Sequence, residues 1–521
     1  MFAGEQAVIT LGNHQSKLEA SPLVRIALET KLTLTVKGSR FMPSVQSGRW
    51  DGSVRFLQRS GLFPTGLVAY LLALCKSFGI AAKLKDARDK PEKVFDVSFR
   101  TVLREEDQVP ILQAALKSQR GIIEDPTGCG KTCVFTGVIS ALGVPSSVVV
   151  FSRSLAHQTV KRLAVDYGVP EDRIGLIGDQ VWEPRPDFVT VCVLNTLFLH
   201  AKAGKDASEA EREAHARVSA FCASQRCVVV DEVHHLYKSL SKFKKVMPLF
   251  ENAYYRFGFS ALPFNDQRAD DATYKDPDVC TLVGMFGPPV HSRTLRSAVE
   301  QGHIVEPKVM FVDYPKDEVY VAEDWASEYD TNIVHNDVRN DAICGVCSEL
   351  VRCGYDRILV MLERVEHVEE VSSRLVAAGV LHDTITGPDS KKKRDQRMHD
   401  FTEARFPVIV TNRVMREGID APKIRAIVLG TGMSAAQLVL QTLGRGVRRS
   451  EGKTWVPVFD LNDRSALLKF MTSHWNQRRA FYKGEHLDVR YGGVKDVETF
   501  LSGGELPRQV SRRSTLPRSA R

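Results

Sequence analysis

The stretch EDPTGCGKT, Glu124 to Thr132, decides the fold of this chain, and it directly follows the apolar pair Ile122-Ile123. An apolar strand that breaks into a glycine-rich loop ending in Gly-Lys-Thr matches a phosphate-binding loop, although Asp125 occupies the position of the usual first glycine. A helical pattern, CVFTGVISAL, comes next, so backbone N–H groups at the start of a helix would surround phosphate groups. The sequence therefore predicts a nucleotide site in a strand–loop–helix unit.

Two side chains at the end of this loop have the chemistry that a metal-bound nucleotide needs. Lys131 would reach the β- and γ-phosphates, and the hydroxyl of Thr132 would bind Mg²⁺. The loop residues expected to contact ATP are Asp125, Pro126, Thr127, Gly128, Cys129, Gly130, Lys131 and Thr132. The predicted cofactors are therefore ATP and Mg²⁺.

A loop of this kind needs an acidic residue at the end of a second strand, and VVVDEVHH supplies it. Asp231 would hold Mg²⁺ through its hydration shell, and Glu232 would orient and deprotonate the attacking water. His234 would relay between the nucleotide and the rest of the site. We do not expect His234 and His235 to bind zinc, because adjacent residues rarely converge on one ion.

Short β-branched runs alternate with helical patterns from about residue 96 onward. These runs are SSVVVFS, DFVTVCVL, RCVVVDE, YRFGFSA, RILVML, FPVIVTN and IRAIVLG. Buried strands joined by helices imply parallel sheets, and the runs form two clusters. We therefore predict an α/β protein with a small α+β N-terminal accessory domain at 1–95, an ATP-binding domain at 96–300, a second α/β domain at 301–490 and a basic tail at 491–521.

From the composition and the lack of targeting patterns we expect a soluble, intracellular protein. The chain has 521 residues, of which 43% are hydrophobic and 26% charged, and its formal net charge of +8 suits a polyanionic partner. No signal-peptide pattern is present, and the apolar stretch LVAYLLALC is too short to span a bilayer. Cys344 and Cys347 lack a second ligand pair at zinc spacing, so we do not expect them to bind zinc. Their segment has the pattern of a helix. The last fifteen residues, with five arginines and no acids, should be disordered.

Asp231-Glu232-Val233-His234, taken with PTGCGKT, resembles superfamily 2 helicases of the DExH type. Further motifs of that superfamily follow in order in the first α/β cluster. The resemblance implies that Gln108 contacts adenine and that Arg153 and Thr196 contact the nucleic-acid backbone. It also implies that Ser260 belongs to the element that couples ATP to strand contact. Asp107 stands where the family usually has an aromatic residue, so this sequence departs from the pattern at the adenine contact.

The second α/β cluster carries the remaining motifs. VIVTNRVMREGIDAP resembles motif V of the superfamily, and QTLGRGVRR resembles its motif VI. The roles that the resemblance implies are phosphate contact for Thr411, approach to the nucleotide for Gly418 and Asp420, orientation for Gln441, and arginine fingers for Arg445 and Arg448. Two RecA-like motor domains of this kind would couple hydrolysis to opening and closing of a cleft.

The stretch SGRWDGSVRFLQRSGLFPTGL, Ser47 to Leu67, resembles the N-terminal domain of the phage UvsW family of recombination helicases. The arginines expected to contact DNA phosphates are Arg40, Arg49, Arg55 and Arg59. Aromatic rings such as Trp50 and Phe41 offer a stacking surface or a wedge. However, apolar rings at turns usually pack inward, so we expect Trp50 and Phe63 to belong to the core.

The resemblance implies an ATP-dependent DNA helicase or translocase, acting as a monomer, that remodels branched DNA and R-loops in replication, recombination and repair. Only KIRAIVLGTGMSAAQLVL separates motifs V and VI, which leaves no room for the strand-separating hairpin of some processive helicases. An RNA helicase and a duplex-DNA motor subunit of a restriction-type system remain as alternatives. A binding protein with an inactive motor is a third, but Lys131, Glu232 and the motif VI arginines are all present.

Overall fold

The computed structural model describes most of the chain, in two compact units. The described residues are 2, 4–96, 102–166, 168–202, 204, 206–264, 274–316, 319–412, 423–433, 442–444, 446–447 and 452–508. One unit comprises Met1–Asp125 and Gly130–Ser292, and the other comprises Pro126–Cys129 and Arg293–Arg521. The predictions that lie outside the described residues concern the end of the basic tail, Gly418, Asp420, Gln441, Arg445 and Arg448.

The N-terminal part of the first unit is a small α+β module. Its strands are β1 Gln6–Leu11, β2 Gln15–Ala20, β3 Thr33–Thr35, β4 Ser53–Arg55, β5 Leu62–Pro64 and β6 Ala81–Asp86. Its helices are α1 Pro22–Lys31, α2 Pro43–Gln46 and α3 Val68–Phe78. One sheet has the order β5-β2-β1-β6, while β3 and β4 form a separate antiparallel ribbon. Helix α3 ends at Gly79, whose φ of 73° is a left-handed cap that glycine adopts without strain.

The rest of the first unit is built on an eight-stranded sheet. Its strands are β7 Arg120–Glu124, β8 Ser146–Val150, β9 Ile174–Gly178, β10 Val181–Glu183, β11 Val189–Val193, β12 Cys227–Asp231, β13 Tyr255–Ser260 and β14 Pro289–Ser292. Its helices are α4 Gln108–Ser118, α5 Lys131–Leu142, α6 Arg153–Lys161, α7 Leu194–Leu199, α8 Glu209–Ser224, α9 Leu240–Val246 and α10 Pro277–Phe286. The order is β10-β9-β11-β8-β12-β13-β7-β14. Since β12, β13 and β7 are parallel neighbours, their carboxyl ends lie at one edge.

The N-terminal module and the first motor domain share one hydrophobic core. Phe63 and Leu67 of the module are fully buried in the same cluster as Phe286 of α10. A Cβ atom at Gly66 would lie 1.9 Å from the carbonyl oxygen of Val283, so the two backbones approach too closely for any side chain at this position. The module is therefore packed against the motor domain along α10, and Phe63 is a core residue, as the sequence led us to expect.

The second unit contains a seven-stranded sheet in which every pairing is parallel. Its strands are β15 Glu306–Asp313, β16 Ile358–Met361, β17 His382–Ile385, β18 Val408–Thr411, β19 Ala426–Leu429, β20 Trp455–Leu461 and β21 Asp488–Gly493. Its helices are α11 Leu295–Glu300, α12 Trp325–Tyr329, α13 Asp337–Arg352, α14 Val365–Ala377, α15 Lys391–Thr402, α16 Lys469–Gly484 and α17 Val497–Leu501. The order is β17-β18-β16-β19-β20-β15-β21. The prediction of two tandem parallel α/β motor domains behind an α+β module is confirmed.

Three observations concern the cysteines, metal-binding groups and membrane-spanning helices. Cys344 and Cys347 are buried on α13, where the sequence predicted a helix. Within the described ranges, no group of three or more His, Cys, Asp or Glu side chains is arranged to hold a metal ion. A search of the same ranges also finds no helix whose length and apolar character would let it cross a membrane.

Candidate nucleotide site and nucleic-acid surface

The glycine-rich loop lies between the fully buried strand β7 and helix α5. Gly128 and Gly130 have φ angles of 95° and 88°, which are left-handed conformations that favour glycine. A Cβ atom at Gly130 would lie 2.5 Å from Nε2 of Gln108. The structure therefore brings Gln108, at the start of α4, against the loop, and its contact with adenine stays a prediction.

Lys131 is the first residue of α5, and its side chain is buried. Its Nζ donates a hydrogen bond to the carbonyl oxygen of Asp125 at 2.9 Å. Asp125 is itself fully buried, and its backbone N–H donates to the carbonyl oxygen of Ser260 at 3.0 Å. A buried ammonium group that donates to a neutral carbonyl at the start of a helix is well suited to pair with an anionic ligand.

Two carboxyl groups lie at the end of β12. Asp231 ends the strand, and Glu232 adopts a left-handed φ of 49° while its N–H donates to Oδ1 of Asp231 at 2.9 Å. Burial and the neighbouring Glu232 raise the pKa of Asp231 to about 6. Burial also acts to raise the pKa of Glu232, but Lys131 and His234 outweigh it and lower that pKa to about 2. The lowered pKa favours the ionised form of Glu232, which is the form that can accept a proton.

His234 connects this acidic pair with the end of β13. Its Nδ1 lies 2.8 Å from Oγ of Ser260 and 3.3 Å from Oε2 of Glu232. Oγ of Ser260 also accepts a hydrogen bond from the N–H of Leu262 at 3.2 Å. The side chains predicted as base and as coupling residues are thus joined in one buried chain of contacts.

Two arginines near the loop were not identified from the motifs. Arg162, just after α6, donates from Nη1 to the hydroxyl of Thr132 at 3.4 Å. Arg104 donates its backbone N–H to Oε1 of Gln108 at 3.1 Å, and its guanidinium forms a two-pronged pair with Asp107, with both distances 2.8 Å. The residue that departs from the family pattern therefore fixes an arginine beside Gln108. The spacing of Arg104 and Asp107, three residues apart, was the available signal.

The residues expected to contact nucleic acid in the motor domains differ in exposure. Arg153 is exposed at the start of α6, and its Nη1 lies 3.2 Å from Oδ1 of Asp179. Thr196 is half-buried on α7. Thr411 is fully buried at the end of β18, and its hydroxyl donates to the carbonyl oxygen of Ile385 at 2.8 Å. The nucleic-acid contacts of these three residues stay predictions.

The N-terminal module exposes the four predicted arginines, Arg40, Arg49, Arg55 and Arg59. Arg55 is paired with Asp51. Trp50 is half-buried, with its indole Nε1 donating to the carbonyl oxygen of Ser53 at 2.9 Å. Phe41, by contrast, is 68% exposed. The module therefore presents a basic surface that includes one outward-facing aromatic ring.

A buried ionic network occupies the second motor domain. Nε of Arg339 lies 2.9 Å from Oδ1 of Asp463. Nη2 of Arg478 lies 3.0 Å from Oδ2 of the same aspartate. Asp460 accepts from Nε of Arg478 at 2.9 Å and from the hydroxyl of Tyr482 at 2.8 Å. The two arginines and the two aspartates are almost completely inaccessible to solvent, so each charge depends on its partners.

This network holds the backbone of Gly430–Met433, a segment that we call the carbonyl loop. Nη1 of Arg339 donates to the carbonyl oxygen of Gly430 at 2.9 Å, and Nη1 of Arg478 donates to that of Met433 at 3.0 Å. The hydroxyl of Tyr329 donates to the carbonyl oxygen of Thr431 at 2.9 Å. The loop follows β19 and precedes the predicted arginine motif in the sequence, and no short motif indicated how it is held.

Three family models match successive parts of the chain. They describe the N-terminal part of the DNA helicase UvsW at residues 11–84, the res subunit of type III restriction enzymes at 98–265, and the helicase conserved C-terminal domain at 344–450. The chain is a superfamily 2 helicase. The predicted ATP hydrolase activity of such a motor is confirmed by the same matches.

Individual relatives agree with this assignment to the superfamily 2 helicases. The chain is 24% identical over 451 residues to the ATP-dependent DNA helicase uvsW of Enterobacteria phage T4, an alignment that covers 82% of this chain and 84% of that protein. It is 23% identical over 435 residues to a putative DNA 3'-5' helicase Rad25 of Haloarcula marismortui, which covers 81% of this chain and 61% of that protein.

A solved structure shows the same fold. S. cerevisiae Dbp5 bound to RNA and ADP BeF3 superposes with a TM-score of 0.51 at 15% identity, over 75% of this chain and 91% of that protein. The likeness concerns the fold, which has two RecA-like parallel-sheet domains.

Proposed function

We propose that this helicase is an ATP-dependent DNA motor that remodels branched DNA and R-loops through unwinding, branch migration and fork regression. The observation that carries the proposal is the N-terminal module. Its sequence matches the UvsW N-terminal model, it exposes four arginines, and it shares a core with the first motor domain. A DNA-binding surface packed onto a motor domain would move with that domain during each ATPase cycle.

The residues of the first motor domain fit a bound nucleotide with Mg²⁺. We infer that Lys131 and the loop N–H groups bind the phosphates, that Thr132 and Asp231 hold Mg²⁺, and that Gln108 recognises adenine. The supporting observations are the buried Lys131 ammonium, the left-handed glycines of the loop and the acidic pair at the adjacent strand end. Bound ATP would supply the free energy for movement along DNA.

The remaining steps fall to residues of this chain. Glu232, held ionised, would orient the attacking water and accept its proton. His234 and Ser260 would transmit the state of Glu232 to the end of β13, because the three side chains are in contact. In motif V, Gly418 and Asp420 would approach the nucleotide. In motif VI, Gln441 would have an orienting role, and Arg445 and Arg448 would stabilise charge on the γ-phosphate.

We also propose the domain boundaries 1–95, 96–300, 301–490 and 491–521, and action as a monomer in the cytoplasm of a bacterial or phage-infected cell. The similarity to a phage helicase supports the cellular setting. Arg153, Thr196 and Thr411 are proposed contacts to the nucleic-acid backbone, together with the exposed arginines of the module.

The test is the ATPase rate of the full chain with five nucleic acids: single-stranded DNA, blunt duplex, a four-way junction, an R-loop and single-stranded RNA. We expect the strongest stimulation with the junction or the R-loop, accompanied by strand displacement. A Lys131→Ala variant should bind DNA but lose ATPase and displacement. Strongest stimulation by RNA would overturn the DNA assignment, and displacement that persists in Lys131→Ala would overturn the proposed ATP site.

A second candidate function is translocation on duplex DNA as part of a restriction-type system. The match of residues 98–265 to the res subunit of type III restriction enzymes favours it. This alternative predicts strong stimulation by blunt duplex without strand displacement, so the same five-substrate experiment separates the two functions.

A further inference from the structure

Phe41 and Met42 form an exposed apolar pair in the segment between β3 and β4. Phe41 is 68% exposed and Met42 is 39% exposed. Single exposed apolar residues are common on protein surfaces, but this pair lies in an unusually basic region. Residues 31–59 contain six basic residues and a single acidic one. An aromatic ring that faces solvent among positive charges suits a ligand that combines flat apolar faces with negative charge.

The backbone that carries this pair is an ordered turn. The N–H of Phe41 donates to the carbonyl oxygen of Gly38 at 3.0 Å, and the N–H of Met42 donates to that of Ser39 at 2.9 Å. Ser39 is buried, and Met42 leads directly into α2. The ring is therefore presented outward by a hydrogen-bonded turn, whereas Phe63 of the same module is fully buried.

The charges around the ring are available to a ligand. The guanidinium of Arg40 lies 4.6 Å from the centre of the Phe41 ring. Lys37, Arg40 and Arg49 are exposed, and among the described residues none of the three forms an ion pair. A cation stacked on one face of an aromatic ring leaves the other face open. Exposed cations of the same segment can then neutralise phosphates of the strand that carries a stacked base.

We propose that Phe41 stacks on an unpaired base of the DNA substrate, with Lys37 and Arg49 on the flanking phosphates. This inference rests on the proposed function and adds the feature of the substrate that the module recognises. A base in continuous duplex has both faces covered by its neighbours, so only a base at a branch point, a fork or a single-stranded end can take this position. Phe41 is then the residue that distinguishes branched DNA from plain duplex.

The experiment compares full-length wild type with Phe41→Ala and Phe41→Trp. Each binds a forked DNA and a covalently closed circular duplex, which has no terminal base pair, at one salt concentration, and 2-aminopurine at the fork junction reports stacking. We expect Phe41→Ala to weaken fork binding about 5- to 150-fold, the range for loss of one base–aromatic stack. Duplex binding should be unchanged, and Phe41→Trp should retain both the affinity and the 2-aminopurine quenching. Leu381→Ala, which removes another exposed apolar side chain, is the matched control.

Three outcomes would overturn the inference: unchanged fork binding in Phe41→Ala, an equal loss on fork and duplex, or a failure of Phe41→Trp to retain binding. Because the ring is exposed, Phe41→Ala should keep the melting temperature of the wild type, which excludes misfolding as a cause. The inference and the proposed function fail separately. If wild-type ATPase is not stimulated by branched DNA but the fork-specific loss remains, the stacking contact stands and the remodelling function does not.

Discussion

The two motor domains organise their buried polar groups in different ways. At the loop end of the first domain, Lys131 contacts a carbonyl six residues away, and Glu232 contacts His234 two residues away. In the second domain, Arg339 reaches Asp463, which is 124 residues further along the chain. The first arrangement is largely contained in short motifs that can be read in the sequence. The second depends on elements that only folding brings together.

The electrostatics of the two regions differ as well. Burial raises the pKa of Asp463, but Arg339 and Arg478 outweigh this effect and lower it to about 2. Among the residues that the structure describes, no comparable pair of arginines acts on Asp231, and its pKa is raised to about 6 by burial and by Glu232. The network in the second domain is thus compensated by its own residues, whereas the described residues around Asp231 compensate its charge only in part. An incompletely compensated buried site is the kind that a cation or ligand completes.

The largest expected effect comes from substituting Glu232, a member of the acidic pair in the first motor domain. In Glu232→Gln the side chain keeps its shape but cannot accept a proton, so we expect the ATPase rate to fall by about 10²- to 10⁴-fold. Binding of ATP should persist, because Lys131 and the loop are untouched. Steady-state ATPase assays together with binding of a fluorescent ATP analogue provide the measurement. Turnover at the wild-type rate would refute the role of Glu232.

The second region is tested by Asp463→Asn, which leaves two buried arginines without their shared carboxylate. Breaking a buried pair by removal of one partner typically lowers the free energy of unfolding by about 3–5 kcal/mol, and chemical denaturation of the full chain would measure it. The matched control is Asp341→Asn, which removes an exposed partner of Arg374 and should change stability little. Equal effects of the two substitutions would contradict a structural role for the network.

The pH dependence of this stability has a defined sign. The pKa of Asp463 is lowered from an ordinary 3.8 to about 2 in the folded protein. A lowered pKa contributes stability above the unfolded value, and this contribution is lost as the pH falls from about 4 towards 2. Asp463→Asn should therefore lose less stability than wild type across that window, as acid titration of the unfolding midpoint would show.

The smallest expected effect comes from removing the contact between Ser260 and His234 in the first motor domain. Ser260→Ala removes the hydroxyl that lies 2.8 Å from Nδ1 of His234. Loss of one hydrogen bond of about 0.5–1.5 kcal/mol corresponds to a change of about 2- to 12-fold. We expect the number of base pairs displaced per ATP hydrolysed to fall by this factor, with a smaller effect on the ATPase rate itself. An unchanged displacement ratio would show that Ser260 does not couple hydrolysis to movement.

Local patterns in the sequence determined the parts of this protein that depend on near neighbours. The strand–loop–helix around Lys131, the acidic pair after β12 and the parallel α/β architecture follow from apolar runs, glycine positions and short spacings, and the structure contains all three. The proximity of Gln108 to the loop was also predictable, because a known motif carries it.

Only the tertiary structure decided which rings face solvent and which charges meet. Phe41 and Phe63 are indistinguishable by residue type, yet one is exposed and the other lies in the core that the module shares with α10. Likewise, Arg339, Asp463 and Arg478 occur in no motif, and their contacts arise from packing of α13 and α16 on the sheet. Burial and ion pairing depend on atoms that are distant along the chain, so a local reading of the sequence does not contain them.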